Sequence, residues 1–187
     1  MSIGLKRGAV SLEPHSAAWE EHAKETISVL EHILGSDAVD IQHVGSTAIV
    51  SIMAKPIIDI AVAVKAFPDF LQHEEALEAA GIVFRGEDVA GQMLFVIGDF
   101  EKDTRSDHIH VVRWNDPNWM NYLNFRDYLK ANPSAAWEYS ARKEKLAKKH
   151  PNDRAAYTKG IREMIHKLLV QAAVWRKECL AASGPPF

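Results

Sequence analysis

Three side chains of the kind that hold divalent metals fall at strand spacing in this chain. Asp59 is the one charged residue inside the apolar run "PIIDIAVAV", and His108 and His110 stand two apart in "DHIHVV". Side chains alternate across a strand, so both imidazoles leave one face. A carboxylate from a neighbouring strand would complete a metal-ligating set. The same alternation puts Ile58, Ile60, Val62 and Val64 on one face of the Asp59 strand, and Ile57, Asp59, Ala61 and Ala63 on the other. An unpaired buried carboxylate costs on the order of several kcal/mol, so Asp59 must meet solvent, a cation or a metal. Lys55 is close enough in sequence to supply an ion pair, which is the plain structural alternative.

Upstream, Gly45, Ser46 and Thr47 form a turn in "QHVGSTAI". A glycine between a strand and a short helix lets backbone approach a ligand, and helix N–H groups with Ser and Thr hydroxyls are suited to phosphate. A tight turn with an N-cap is the simpler alternative. His43, two residues earlier, reads as a structural polar group. Further on, Arg126 pairs with Lys130 and Tyr139 with Lys143 at i, i+4. Glu138 and Glu144 are interleaved among the lysines, as on a solvated helix face. If these helices fold back over the sheet, Arg126 and Lys143 reach a triphosphate, and Lys55 helps offset its charge.

Elements able to position these residues follow from periodicity. Trp19, Ala23, Ile27, Leu30 and Leu34 recur at helical spacing behind Ser16 as N-cap, and Gly35 stops the helix. "VDIQHV" and "PIIDIAVAV" read as strands, the second opened by Pro56 where a missing donor is tolerated. A helix over about 67–80 comes next. "IVFRG" and "QMLFVIGDF" flank "EDVAG" as a hairpin, and "HIHVVRW" alternates again. Asp116-Pro117, Ser134 and Asp153 then mark three helix starts, the last helix running to about Ala182 with "SGPPF" as a frayed tail. The order predicts one α+β domain over 1–187. A small mixed sheet flanked by helices forms a core of about 10–114, and a helical C-terminal section covers about 116–182.

Composition bounds the function. Apolar content of 47% with 25% charged residues suits a globular chain with a real core. A formal net charge of -3 gives no global field favouring nucleic acid. Cys179 is the single cysteine, which excludes an internal disulfide and a cysteine metal cage. No segment reaches about 18 uninterrupted apolar residues and the N-terminus has no apolar leader, so no membrane partner and a cytoplasmic location are expected.

Taken in order, "SLEPHSAAW", "QHVGSTAI", "AKPIIDIAVAV", "HIHVV", "FRDYLKANP" and "YSARKEKLA" resemble the GrpB family of the nucleotidyltransferase superfamily. The resemblance covers about residues 10–150. It implies a nucleotidyltransferase-like core in which Gly45 and Ser46 handle nucleotide phosphates and Asp59 is the first metal carboxylate. The superfamily commonly has a second acid two residues on, where Ala61 stands here, and GrpB-like chains usually lack it as well. His108 and His110 match the family's His-x-His strand. This chain departs from its family at Val50-Ser51, commonly Pro-Gly, and at Ile161, near a common lysine. The expected activity is transfer of a nucleoside monophosphate from an NTP to a small-molecule or protein acceptor, with Mg²⁺ or Mn²⁺ as cofactor and Zn²⁺ or Ni²⁺ as alternatives. A non-catalytic module for a nucleotide or a coenzyme A-related ligand, or a metal-dependent hydrolase, would use the same residues. The coenzyme A link rests only on the fusion of GrpB-like domains to dephospho-CoA kinase.

Overall fold

A computed structural model describes residues 3–182; the predicted tail from Ser183 lies outside them. The elements are β1 (Leu5–Lys6), α1 (Ala17–Leu34), β2 (Ala38–Val44), β3 (Ile58–Val64), α2 (Phe67–Leu71), α3 (Glu74–Ala79), β4 (Val83–Val89), β5 (Gln92–Ile97), β6 (Thr104–Arg105), β7 (Asp107–Arg113), α4 (Pro117–Ala131), α5 (Pro133–Lys149) and α6 (Arg154–Ala182). Five strands form a mixed sheet in the order β2-β3-β7-β5-β4, in which β3 and β7 are the parallel pair. Their register sets Asp59 beside His108 and Ala61 beside His110.

Alternation along β3 sorts the core into two layers. Ile58, Ile60, Val62 and Val64 pack with Ile109 and Val111 of β7 against the buried stripe of α1, which carries Trp19, Ala23, Leu30 and Leu34. Ser16 caps that helix, its hydroxyl accepting from the Ala18 N–H at 3.3 Å. On the opposite face Ala61, Ala63, Val44 and Val112 lie beneath Trp119 of α4. The small side chains leave room for an indole that is itself 1% exposed.

The C-terminal helices are anchored to the segment between β2 and β3. Ile49 and Ile52 join Val10, Leu129, Tyr139, Leu146, Tyr157 and Ile161 in one apolar cluster. Met53 is held at both ends of its peptide groups: its N–H donates to Ser140 Oγ at 3.0 Å, and its carbonyl accepts from Lys143 Nζ. The extended lead-in ties the same region together. Glu13 bridges Ala54, Val10 N–H donates to Pro151 O at 2.8 Å, and Arg154 N–H donates to Gly8 O at 3.2 Å.

Local expectations change in four places. The helix over 67–80 is two short ones, because Gln72 and His73 turn aside to bind Asp37 Oδ2 at 3.0 and 2.8 Å. β1 and β6 pair as a two-residue ladder too short to show alternation. α5 starts at Pro133 behind Asn132, one residue ahead of the Ser134 cap. The helix after Gly45 is a single 3-10 turn, Ser46–Ala48, so its amides lack the aligned dipole of a longer helix. Among the described residues no helix is long and apolar enough to cross a membrane.

Candidate functional site

Parallel pairing of β3 with β7 brings Asp59, His108 and His110 into one group. Asp59 Oδ1 lies 3.4 Å from His108 Nδ1 and 3.2 Å from His110 Nε2. Burial works to raise the Asp59 carboxyl, but hydrogen bonding to His108 and His110 outweighs it and holds the group well below the usual carboxylate range. Asp59 therefore takes its partners from β7; among the described residues no ion pair joins it to Lys55. His110 is braced from behind: Gln92 Nε2 lies 3.3 Å from its Nδ1, and the Tyr122 hydroxyl donates to Gln92 Oε1 at 2.7 Å. Gln92 and Tyr122 thus fix the orientation of the His110 ring toward Asp59.

Gly45 crosses directly over this carboxylate. Its φ is +67°, and a Cβ at this position would fall 2.9 Å from Asp59 Cβ and Cγ, closer than such contacts allow. Ser46 follows at the cavity edge. Thr47 is buried, its hydroxyl 2.9 Å from His43 Nε2. Burial pushes the His43 imidazole down to about 4 and leaves it neutral at pH 7.

A cavity of ≈ 460 Å³ opens beside Asp59 and His108. Lys55, Lys143 and Arg154 line it, and none has a carboxylate within ion-pair distance among the described residues. Lys143 is 2% exposed and its Nζ stands 5.0 Å from the centre of the Tyr139 ring; Lys55 Nζ stands 5.2 Å from that of Tyr157. Burial, with Lys55 as neighbour, pulls the Lys143 ammonium down to about 7. Burial, with Arg154 as neighbour, pulls Lys55 down to about 8. Burial raises the Tyr139 phenol to about 12, an effect the Ser46 hydroxyl partly offsets. Three crowded cations facing one carboxylate favour an anionic ligand.

The cavity thus gathers Gly45, Ser46, Lys55, Asp59, His108 and Lys143 from the residues singled out in the sequence. Arg126 lies off its lining and is used elsewhere: its guanidinium donates to Gln42 Oε1 and His43 O, both at 3.0 Å, and to Asp127 at 2.8 Å. Sequence reasoning took Tyr139 only as the helical partner of Lys143 and passed over Arg154, Tyr157, Gln92 and Tyr122. A cation in the first turn after the Asp153 cap was visible, but nothing local tied it to a strand almost a hundred residues earlier.

Asp59, His108 and His110 each offer one ligand atom, all within 4.8 Å of one another. The set fits one ion of borderline character, since two imidazoles and one carboxylate suit Mn²⁺ or Zn²⁺ better than a hard, oxygen-seeking Mg²⁺. It does not fit a pair of dications bridged by carboxylates, because the neighbouring position on β3 is Ala61.

Sheet, helices and cleft together define a nucleotidyltransferase-like fold. The Cid1 poly(U) polymerase solved with MgGTP bound superposes with a TM-score of 0.52 at 17% identity, over 72% of this chain and 44% of that one, a likeness of fold alone. The chain belongs to the GrpB family: the family model described as GrpB protein matches residues 9–171. It is 38% identical to the glutamate-rich protein GrpB of Alkalihalophilus pseudofirmus over 89% of this chain and 98% of that relative. It is 33% identical to YqkA of Bacillus subtilis over 91% of this chain and 49% of YqkA, about half of that protein's length. The crystal structure of the conserved protein GrpB from Enterococcus faecalis superposes with a TM-score of 0.80 at 28% identity, covering 87% of this chain and 96% of that one.

Proposed function

We propose that the protein is a nucleotidyltransferase built around one metal ion, moving a nucleoside monophosphate from an NTP to a small-molecule or protein acceptor. One observation carries the reading: Lys55, Lys143 and Arg154 are held without carboxylate partners in the cavity that contains Asp59. An unpaired buried cation destabilises a fold, so a site that keeps Lys143 buried with half-buried Lys55 and Arg154 beside it is built for a polyanion. The three cations and the Ser46 hydroxyl would take the β- and γ-phosphates. Thr47 and Arg126 would act at one remove, the first through His43 and the second by tying α4 to β2.

Asp59, His108 and His110 would hold the ion, which supplies electrophilic stabilisation of the reacting phosphate oxygens when bound. A carboxylate whose pKa is held low is a good ligand and a poor general base, so Asp59 would anchor and not abstract a proton. The acceptor oxygen forms a bond to the α-phosphorus as the bond to pyrophosphate breaks, and the acceptor's proton leaves to solvent. Most of the rate then comes from positioning and charge compensation. An NTP substrate also implies a cytoplasmic protein.

Ala61 supports a second reading, a nucleotide-binding module without turnover, because the position that supplies a second carboxylate in the wider superfamily is apolar here. The test is incubation with each α-labelled NTP, Mg²⁺ or Mn²⁺ and cell extract, comparing the native chain with Asp59→Asn. Label transfer abolished by the substitution supports the enzyme. Calorimetric NTP binding with no transfer under either metal supports the module. Absence of both from the native chain sinks the nucleotide reading.

A further inference from the structure

We propose that the slot between α4 and α6, continuous with the phosphate end of the cavity, seats the heterocyclic base of the nucleotide, with Asn121 reading the base edge. This inference rests on the phosphate-binding reading above and concerns the part of the ligand beyond the phosphates.

α6 changes character along one face. Arg154 opens the helix, and Ile161, Ile165 and Leu169 follow at i, i+4 and i+8 of an apolar stripe, all lining the same cavity. At 1.5 Å of rise per residue the stripe runs from about 10 to about 22 Å beyond Arg154. A ligand anchored by its phosphates at Arg154 and extended along α6 would bring its far end into this stripe.

The facing wall comes from α4. Tyr122 and Phe125 line the cavity from that helix, each packed against a ring from another element of the site. Tyr122 lies 5.0 Å from the His110 ring at an interplanar angle of 30°, and Phe125 meets Tyr139 edge-on at 5.5 Å. An aromatic wall opposite an aliphatic one is the usual setting for a flat ring.

The amides decide between a heterocycle and a plain apolar tail. Asn118 and Asn121 lie on the same face of α4, at the cavity. The Asn118 amide nitrogen is committed to Ala90 O at 3.1 Å. Asn121 is half-buried and has no hydrogen-bond partner among the described residues. An acyl chain in the slot would strip water from the Asn121 amide and return nothing, whereas a base offers a donor and an acceptor side by side.

The experiment measures calorimetric affinity for ATP, GTP, CTP, UTP and inorganic tripolyphosphate, without acceptor, for the native chain, Ile165→Trp and Asn121→Ala. The expected result is that the best nucleotide binds about tenfold or more tighter than tripolyphosphate, a difference of about 1.4 kcal/mol. Ile165→Trp, which fills the slot, should erase that advantage and leave tripolyphosphate affinity unchanged. Asn121→Ala should narrow the spread among the four nucleotides, and as a half-buried truncation it does not depend on how the tryptophan is accommodated. Equal affinity of the native chain for nucleotides and tripolyphosphate overturns the slot and leaves the phosphate site standing. So does an undiminished spread in Asn121→Ala. If no probe binds the native chain, the phosphate-binding reading itself fails.

Discussion

The Cβ that Gly45 lacks would fall 2.9 Å from the Cβ and Cγ of Asp59, so the turn and the carboxylate are fitted to each other. Gly45 also holds φ at +67°, where an L side chain is strained. Gly45→Ala is therefore expected to destabilise the fold by about 1–3 kcal/mol in urea titration. It should also push Asp59 away from the two histidines and weaken Mn²⁺ binding at least as much as His110→Ala does. Native-like metal affinity in Gly45→Ala would mean that the carboxylate does not depend on the turn.

Ala61 is fully buried, with His110 beside it on β7 and Trp119 of α4 packed on the same face. Restoring an acid here is expected to fail as a gain of function. Ala61→Asp would bury a charge under an indole, with a cost on the order of several kcal/mol, and urea or thermal unfolding should register the loss. A neutral effect on stability combined with tighter Mg²⁺ binding would show that α4 gives way and that a two-ion site is one substitution distant.

The sheet face carrying Asp59 was legible because alternation is strict over β3 and because His-x-His shares that period. Pairing β3 with β7 did the rest. The cation cluster was only half legible. Lys55 and Lys143 stood out as charges, but their meeting with Arg154 depends on α6 folding back to the lead-in, where Arg154 N–H reaches Gly8 O. Arg126 had the right charge and helix, yet Gln42 and His43 O draw its guanidinium to β2. The break in the helix over 67–80 has the same origin, since Asp37 lies more than thirty residues from Gln72 and His73 and no local pattern announces it.

Asp107 directly precedes the histidine pair and so points to the opposite face of β7. It is fully buried, accepting from Thr26 Oγ1 at 3.1 Å and lying 3.0 Å from His22 Nε2. The hydrogen bond to Asp107 raises the His22 imidazole above 6.5 despite burial. A base raised in the fold adds stability that is complete below its unfolded value near 6.5 and fades as pH climbs through the raised value. The lowered Lys55 and Lys143 act with the opposite sign, so His22→Gln must be compared with the native chain at each pH. The substitution should cost the most near pH 6 and progressively less toward pH 9 by urea titration. A pH-independent cost would mean that His22 never carries the extra proton.

Lys143 at about 7 and Lys55 at about 8 are partly deprotonated near pH 8 while the cavity is empty of anion. A triphosphate favours both ammonium forms, so binding at pH 8 should take up protons and affinity should fall as pH rises from 7 to 9. At pH 6 both amines are already charged and their contribution to uptake vanishes. Calorimetry with tripolyphosphate in two buffers of different ionisation enthalpy measures the uptake, and Lys143→Met at the same pH cancels protons released by the ligand itself. The substitution should remove the larger part of the uptake, because Lys143 has the lower pKa. Binding heat at pH 8 that is the same in both buffers, or uptake unchanged by Lys143→Met, would place the phosphates away from these lysines.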